Sequence, residues 1–298
     1  RWQDRLTGER GQTEAHLVIA AAGAWQSGLD SHLENRSRKQ ARLQKSVSVI
    51  APPLPGSGDA LVFPREEEGH LLIASPRVSG TWVGSIETDY EGDLDTVHAS
   101  GREVSALVGL VRDFLPGIAW DDLVSAQAAV DLPPAPHPFS FGVTPPNYEI
   151  ADHGANGGVC DGLLTVSGGR VAGGRAIAEE VVDLACRKLG RALSAPPCRT
   201  ASTPLPASVS PSLGSTATDE APLRTAIEWA VAEEECRTLR DFLERRSPFS
   251  STADQGRFAL PVVLETMTAL LGWDADRQAR EVKAFEADMA LTQAFRVI

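Results

Sequence analysis

The chain has 298 residues, 42% of them hydrophobic and 23% charged, which is enough to bury the cores of about two globular domains. A formal net charge of -12 excludes a nucleic-acid partner, whose phosphates need a basic face, and argues against an anionic membrane surface. No apolar run approaches the ~18 residues that cross a bilayer, and Arg1-Trp2-Gln3-Asp4 leads into no signal-peptide core.

In chain order, Leu6-Thr7-Gly8-Glu9 reads as the tip of a hairpin, and residues 15–21 as a buried strand turning at Gly23. Short β-prone runs follow at 47–50, 60–63, 71–74 and 81–86. Gly, Pro and charged clusters separate them, as in an antiparallel meander. Asp89–Asp95 lacks the spacing of a calcium loop and reads as a turn after a strand, with Gly92 at a special backbone angle. Ser100 and Glu103 form the sequence of a capping box, opening a helix that runs to about Leu115 and ends at Pro116-Gly117. The Pro-dense stretch from Leu132 to Asn147 excludes regular structure.

Leu163–Ser167 is then a strand, Gly168-Gly169 a tight turn and Arg175–Leu189 a helix. In this order the helix N-terminal amides can face an anionic group. Residues 194–222 are rich in Ser, Pro, Thr and Ala and read as a linker. Beyond it, 223–246, 259–271 and 275–295 are helical by periodicity, with Ile227, Val231, Leu239, Phe242 and Leu243 on one buried face. The boundaries are therefore 1–193, 194–222 and 223–298.

The four cysteines are widely spaced and form no C-x-x-C pair, so they read as reduced thiols of a cytosolic protein. No histidine has ligand spacing, so no metal is expected. Because residue 1 is Arg and the only methionines are Met267 and Met289, residue 1 is not read as a translation start. No strand is followed by G-x-G-x-x-G, the turn that holds a dinucleotide pyrophosphate.

Four ordered blocks carry a resemblance. Gly84-Ser85-Ile86-Glu87-Thr88-Asp89-Tyr90-Glu91-Gly92-Asp93-Leu94-Asp95 closely resembles the G-T-T-D-T-D-Y-E-G-D-L-D run of FAD-dependent glycerol-3-phosphate dehydrogenases. Ala22-Gly23-Ala24-Trp25 resembles part of that family's N-A-A-G-P-W. Leu163–Arg170 resembles its G-L-x-T-V-x-G-G-K, and Asp241–Arg246 its D-x-L-x-R-R. The resemblance implies an α+β protein: a partial FAD-binding domain of the DAO/glutathione-reductase-like kind, an antiparallel substrate-domain sheet and a C-terminal all-α domain.

The same resemblance implies FAD as cofactor, with Ala22, Gly23, Ala24, Gly168, Gly169 and Val171 against the flavin and Arg170 supplying positive charge at the reacting centre. The implied reaction oxidises sn-glycerol 3-phosphate, a phosphorylated polyol, to dihydroxyacetone phosphate and passes electrons to a quinone. The implied setting is cytoplasmic, peripheral to the inner face of the membrane, with no transmembrane segment. Two positions depart from the pattern. Ser48 stands where the family has a His, and Asp131 stands where it has an Arg that would pair with phosphate. Two readings stay open: a dehydrogenase whose glycine-rich pyrophosphate turn lies upstream, or a degenerate relative that binds without turning over.

Overall fold

The computed structural model describes residues 1–26, 42–54, 58–64, 71–132, 148–155, 160–169, 171–204, 213 and 219–297. In chain order the strands are β1 (Trp2–Gln3), β2 (Arg10–Gly11), β3 (Val18–Ala20), β4 (Leu43–Ala51), β5 (Leu61–Pro64), β6 (Leu71–Pro76), β7 (Thr81–Tyr90), β8 (Ser125–Asp131), β9 (Tyr148–Asp152) and β10 (Leu163–Gly168). The α-helices are α1 (Gly101–Val111), α2 (Gly174–Lys188), α3 (Glu220–Glu233), α4 (Leu260–Leu271) and α5 (Ala275–Gln293).

These elements form two compact units. The first comprises Arg1–Gln44, Asp89–Leu94 and Val130–Pro206; the second comprises Lys45–Thr88, Asp95–Ala129 and Ala207–Ile298. In unit one, β1 and β2 pair antiparallel around the expected hairpin tip. The Asp4 carboxylate accepts hydrogen bonds there from the Leu6 and Thr7 amides at 2.7 and 3.0 Å, and Gly8 takes φ +77°. A three-stranded sheet runs in the order β3-β10-β9, with β3 parallel and β9 antiparallel to β10. Helix α2 buries Ile177, Val181 and Ala185, a stripe of one residue per turn.

In unit two a five-stranded sheet has the order β5-β6-β7-β4-β8; β5, β6 and β7 pair antiparallel as the meander reading requires, but β4, the first run of that reading, lies beside β7 rather than β5. One face packs Val47, Val49, Leu72, Ala74 and Val83 against Val104, Leu107, Val108 and Val111 of α1. The α1 start is the capping box read from sequence. The Glu103 amide donates to the Ser100 hydroxyl at 3.3 Å, and the Ser100 amide donates back to the Glu103 carboxylate at 2.9 Å. A second core gathers Ile227, Leu239, Phe242, Phe249, Met267, Phe285 and Met289 from the helical tail.

Three expectations are corrected. Residues 15–21 do not form a buried strand: β3 is only Val18–Ala20, with Val18 and Ile19 exposed and Ala20 alone buried. Gly92 is not among the described residues with positive φ. A Cβ there would lie 2.6 Å from the Tyr90 hydroxyl, which donates to the Asp93 carbonyl at 2.7 Å, so the turn needs a bare backbone rather than a left-handed one. The helix expected over 223–246 stops at Glu233. Three glutamates in a row, Glu233-Glu234-Glu235, sit at its C-terminal end, where the helix dipole disfavours negative charge. Glu235 turns to φ 55°, the Arg237 guanidinium caps the Val231 carbonyl at 2.8 Å, and Asp241 accepts from the Arg237 and Thr238 amides. The chain then resumes as a π-helical turn over Asp241–Arg246.

Candidate functional site

Two of the sequence-selected glycine turns meet in unit one. The register of the parallel pair sets Leu163, Leu164 and Thr165 beside Val18, Ile19 and Ala20. Three residues beyond the Ala20–Thr165 pairing, each chain reaches a glycine, Gly23 on one and Gly168 on the other. Gly23 has φ +54° and Gly168 φ +70°, and Gly169 follows at +90°. All three occupy backbone conformations that side-chain-bearing residues adopt only with strain. Ligands of α/β sheets lie beyond the carboxyl ends of parallel strands, and both turns leave from that end.

Ala22, Gly23 and Ala24 enter a 3₁₀ turn over Gly23–Trp25 that packs against β10. Ala24 is buried, and nothing lies within 4 Å of where a Cβ on Gly23 would point. Trp25 is 56% exposed, so it is not the core residue that an ordinary strand-to-turn reading requires. On the other side, Val171 is fully exposed and opens a 3₁₀ turn over Val171–Gly173 into α2. The first turn of α2 has neither a capping side chain nor an acidic residue. Its positive dipole end is left without a side-chain partner of that kind. Arg175, paired with Glu179 at 2.6 Å, adds a cation in the same turn, and the hydrogen bond it donates to that carboxylate raises its pKa above the ordinary arginine value. Arg170 lies outside the described residues.

The two altered positions have plain local roles. Ser48 is 8% exposed on β4, and a Cβ on Gly84 of β7 would come within 2.7 Å of the Ser48 Cβ. Asp131 ends β8 exposed to solvent, and its carboxylate accepts a hydrogen bond from the Leu132 amide at 2.7 Å. Neither carries the cation or the titrating ring that phosphate binding or proton transfer would use.

Sequence reasoning missed two polar ties. The Lys188 ammonium donates to Asp152 at 2.8 Å and to Asp161 at 2.8 Å, and the Tyr148 hydroxyl donates to Glu180 at 2.5 Å. No motif marks them, because each joins residues more than twenty positions apart. No group of three His, Cys, Asp or Glu side chains able to hold a metal occurs among the described residues. A cavity of about 240 Å³ in unit two lies between β8 and the tail helices and contains none of the selected residues. Its charges are already matched, Arg240 to Glu244 at 2.7 Å and to Asp288 at 3.4 Å. No described helix is long and apolar enough to cross a membrane.

A glycine-turned parallel pair, an antiparallel sheet and a helical tail define an α+β protein of the FAD-dependent oxidoreductase fold. The X-ray structure of the glycerol-3-phosphate dehydrogenase from Bacillus halodurans, complexed with FAD, superposes with a TM-score of 0.76 at 20% identity, covering 97% of this chain and 65% of that one. Residues 200–278 match the family model of the C-terminal domain of alpha-glycerophosphate oxidase. The aerobic glycerol-3-phosphate dehydrogenase of Staphylococcus haemolyticus (strain JCSC1435) is 31% identical over 211 residues, 68% of this chain and 36% of that protein. The enzyme of the same name from Staphylococcus aureus (strain USA300) is 29% identical over 205 residues, 66% of this chain and 35% of that protein. By these matches the chain is similar to glycerol-3-phosphate dehydrogenases of the FAD-dependent kind. It spans about a third of the length of these two relatives.

Proposed function

We propose that this chain contributes the flavin-facing and substrate-domain portion of an FAD-dependent glycerol-3-phosphate dehydrogenase. The observation that carries the reading is the matched placement of Gly23 and Gly168 at the carboxyl ends of two adjacent parallel strands, each with positive φ. The local structure fits the cofactor: open space over Gly23 and Gly174, and an α2 N-terminus with no side-chain cap.

When bound, FAD supplies the two-electron acceptor for oxidation of the C2 alcohol of sn-glycerol 3-phosphate to the ketone of dihydroxyacetone phosphate. The backbone of Ala22, Gly23 and Ala24, together with that of Gly168, Gly169 and Val171, would hold the cofactor. The α2 dipole, with Arg170 beside it in sequence, favours negative charge there. A quinone acceptor, and attachment at the inner face of the membrane, extend the same reading.

Ser48 and Asp131 favour a second reading in which the cofactor site survives and the substrate pocket does not turn over. A buried hydroxyl does not take the alcohol proton near neutral pH, and a carboxylate repels a phosphate dianion. The test is the visible flavin spectrum of the chain after incubation with FAD, followed by glycerol 3-phosphate without oxygen. Bound flavin that bleaches supports the dehydrogenase. Bound flavin that stays oxidised supports the second reading. Failure to retain FAD, both alone and when fused to the pyrophosphate-binding segment of a relative, sinks both.

A further inference from the structure

Strand β9 is antiparallel to β10, and α2 returns from the far end of β10, so β9 and α2 run in the same direction. Two polar ties join them. Near its start, β9 offers Tyr148, whose hydroxyl donates to Glu180 at 2.5 Å. Its end offers Asp152, whose two oxygens accept from Lys188 at 2.8 and 3.0 Å, while Asp161 accepts from the same ammonium. The spacings agree. Four strand residues from 148 to 152 cover about 13 Å, and eight helical residues from 180 to 188 cover about 12 Å. Both ties therefore close together in one register, and sliding the helix by a residue, about 1.5 Å, opens both.

The apolar contact cannot set that register alone. The buried stripe of α2 is Ile177, Val181 and Ala185, one aliphatic group per turn and shrinking to a methyl. Such a stripe resists lateral movement better than sliding. The ties are charge-assisted and partly shielded, with the Lys188 and Asp152 side chains 17% and 22% exposed. The glycine turn lies at the same end as the first tie. Tyr148 is the register partner of Gly168, and a Cβ on Gly169 would fall 2.6 Å from Ile177 Cδ1 and 3.6 Å from Tyr148 Cβ.

We infer that Tyr148 and Lys188 are positioning residues: they lock α2 in register against β9 and so fix where Gly168, Gly169 and the Val171–Gly173 turn present their amides. The inference deepens the flavin reading of that turn and rests on it. Neither residue is placed against the cofactor. They act through the helix.

The test combines amide hydrogen exchange with FAD titration on the full chain, comparing wild type with Tyr148→Phe, Lys188→Met and Lys188→Arg. Tyr148→Phe removes one oxygen and keeps the ring, so it carries the test if Lys188→Met fails to fold. Opening a charge-assisted bond should speed exchange over 168–176 about tenfold and weaken FAD about tenfold, leaving exchange in α1 and α4 unchanged. Lys188→Arg should restore both. Unchanged exchange at 168–176 overturns the inference, and so does faster exchange with unaltered FAD affinity. A wild-type chain that takes up no FAD, while its exchange still responds to the variants, overturns the flavin reading and supports the register itself.

Discussion

A methyl group at position 169 would sit on a backbone of φ +90° and 2.6 Å from Ile177 Cδ1. The side chain can rotate away; the backbone cannot. Gly169→Ala should therefore destabilise unit one by roughly 1–3 kcal/mol. Gly109, exposed in the last turn of α1, provides the opposite case, because nothing lies within 4 Å of where its Cβ would stand. There Ala restricts the unfolded chain at no steric cost, so Gly109→Ala should stabilise by about 0.5–1 kcal/mol. Urea midpoints of the two variants should move in opposite directions, and a shared direction would show that crowding and backbone angle are not what distinguishes them. The sequence already sets Gly169 in a turn and Gly109 inside a helix. What has no sequence mark is the neighbour eight residues away at Ile177. Gly168 and Gly23 are legible because they end apolar strand-like runs, a pattern that carries its own geometry. Gly92 has no such pattern around it, and its expected backbone angle failed there.

At the scale of the element, α1 shows what a local signal can specify. Its capping box needs only residues 100 to 103, and every bond of it forms. Ser100→Ala should cost about 1 kcal/mol. Glu103 does more. Burial pushes its carboxyl up, but hydrogen bonds from Lys45 and Ser100, together with the Lys45 charge, outweigh burial and hold it below the ordinary value of 4.5. A carboxyl depressed in the folded state contributes stability above its unfolded pKa. That contribution is lost as pH falls below about 4.5 through the folded value. Glu103→Gln should thus lower the melting temperature at neutral pH and flatten its fall between neutral and acid solution. A mutant whose acid limb matches the wild type would remove Glu103 from the acid transition. The Lys45 contribution was not legible, since it comes from fifty-eight positions away. The helix expected over 223–246 failed for the same reason in reverse. Its periodicity is continuous, with Leu239, Phe242 and Leu243 in phase, but the break is made by acidic repulsion at Glu233–Glu235 and side-chain capping from Arg237 and Asp241. Apolar spacing records which residues are buried and is silent on whether the backbone between them bends.

For the whole molecule, the feature to explain is the exposure of a parallel strand. Parallel pairs are ordinarily covered on both faces and flanked by further strands. Here β3 lies at one edge of its sheet among the described residues, and Val18 and Ile19 are 50% and 43% exposed. Trp25, Val171 and Val182, all in the same unit, are more exposed still. An edge of this kind accepts another strand, from a further segment or from another copy of the chain. Opposing this is the formal net charge of -12, which keeps copies apart at low salt. The balance is decided by screening. At 0.1 M ionic strength the Debye length is about 10 Å, shorter than most separations between charges on two approaching molecules, while strand pairing and apolar burial act at contact and are scarcely screened. The isolated chain should therefore associate reversibly as concentration and salt rise. Ile19→Lys, which places a charge on the edge without touching the Gly23 or Gly168 turns, should suppress the association. Sedimentation velocity over a range of concentrations, at low and at moderate salt, separates the cases. Association that ignores salt would mean charge repulsion is not the opposing force. Equal association of wild type and Ile19→Lys would move the contact away from β3. Monomers throughout would mean that two half-exposed aliphatic side chains on a three-residue strand are too little to hold copies together.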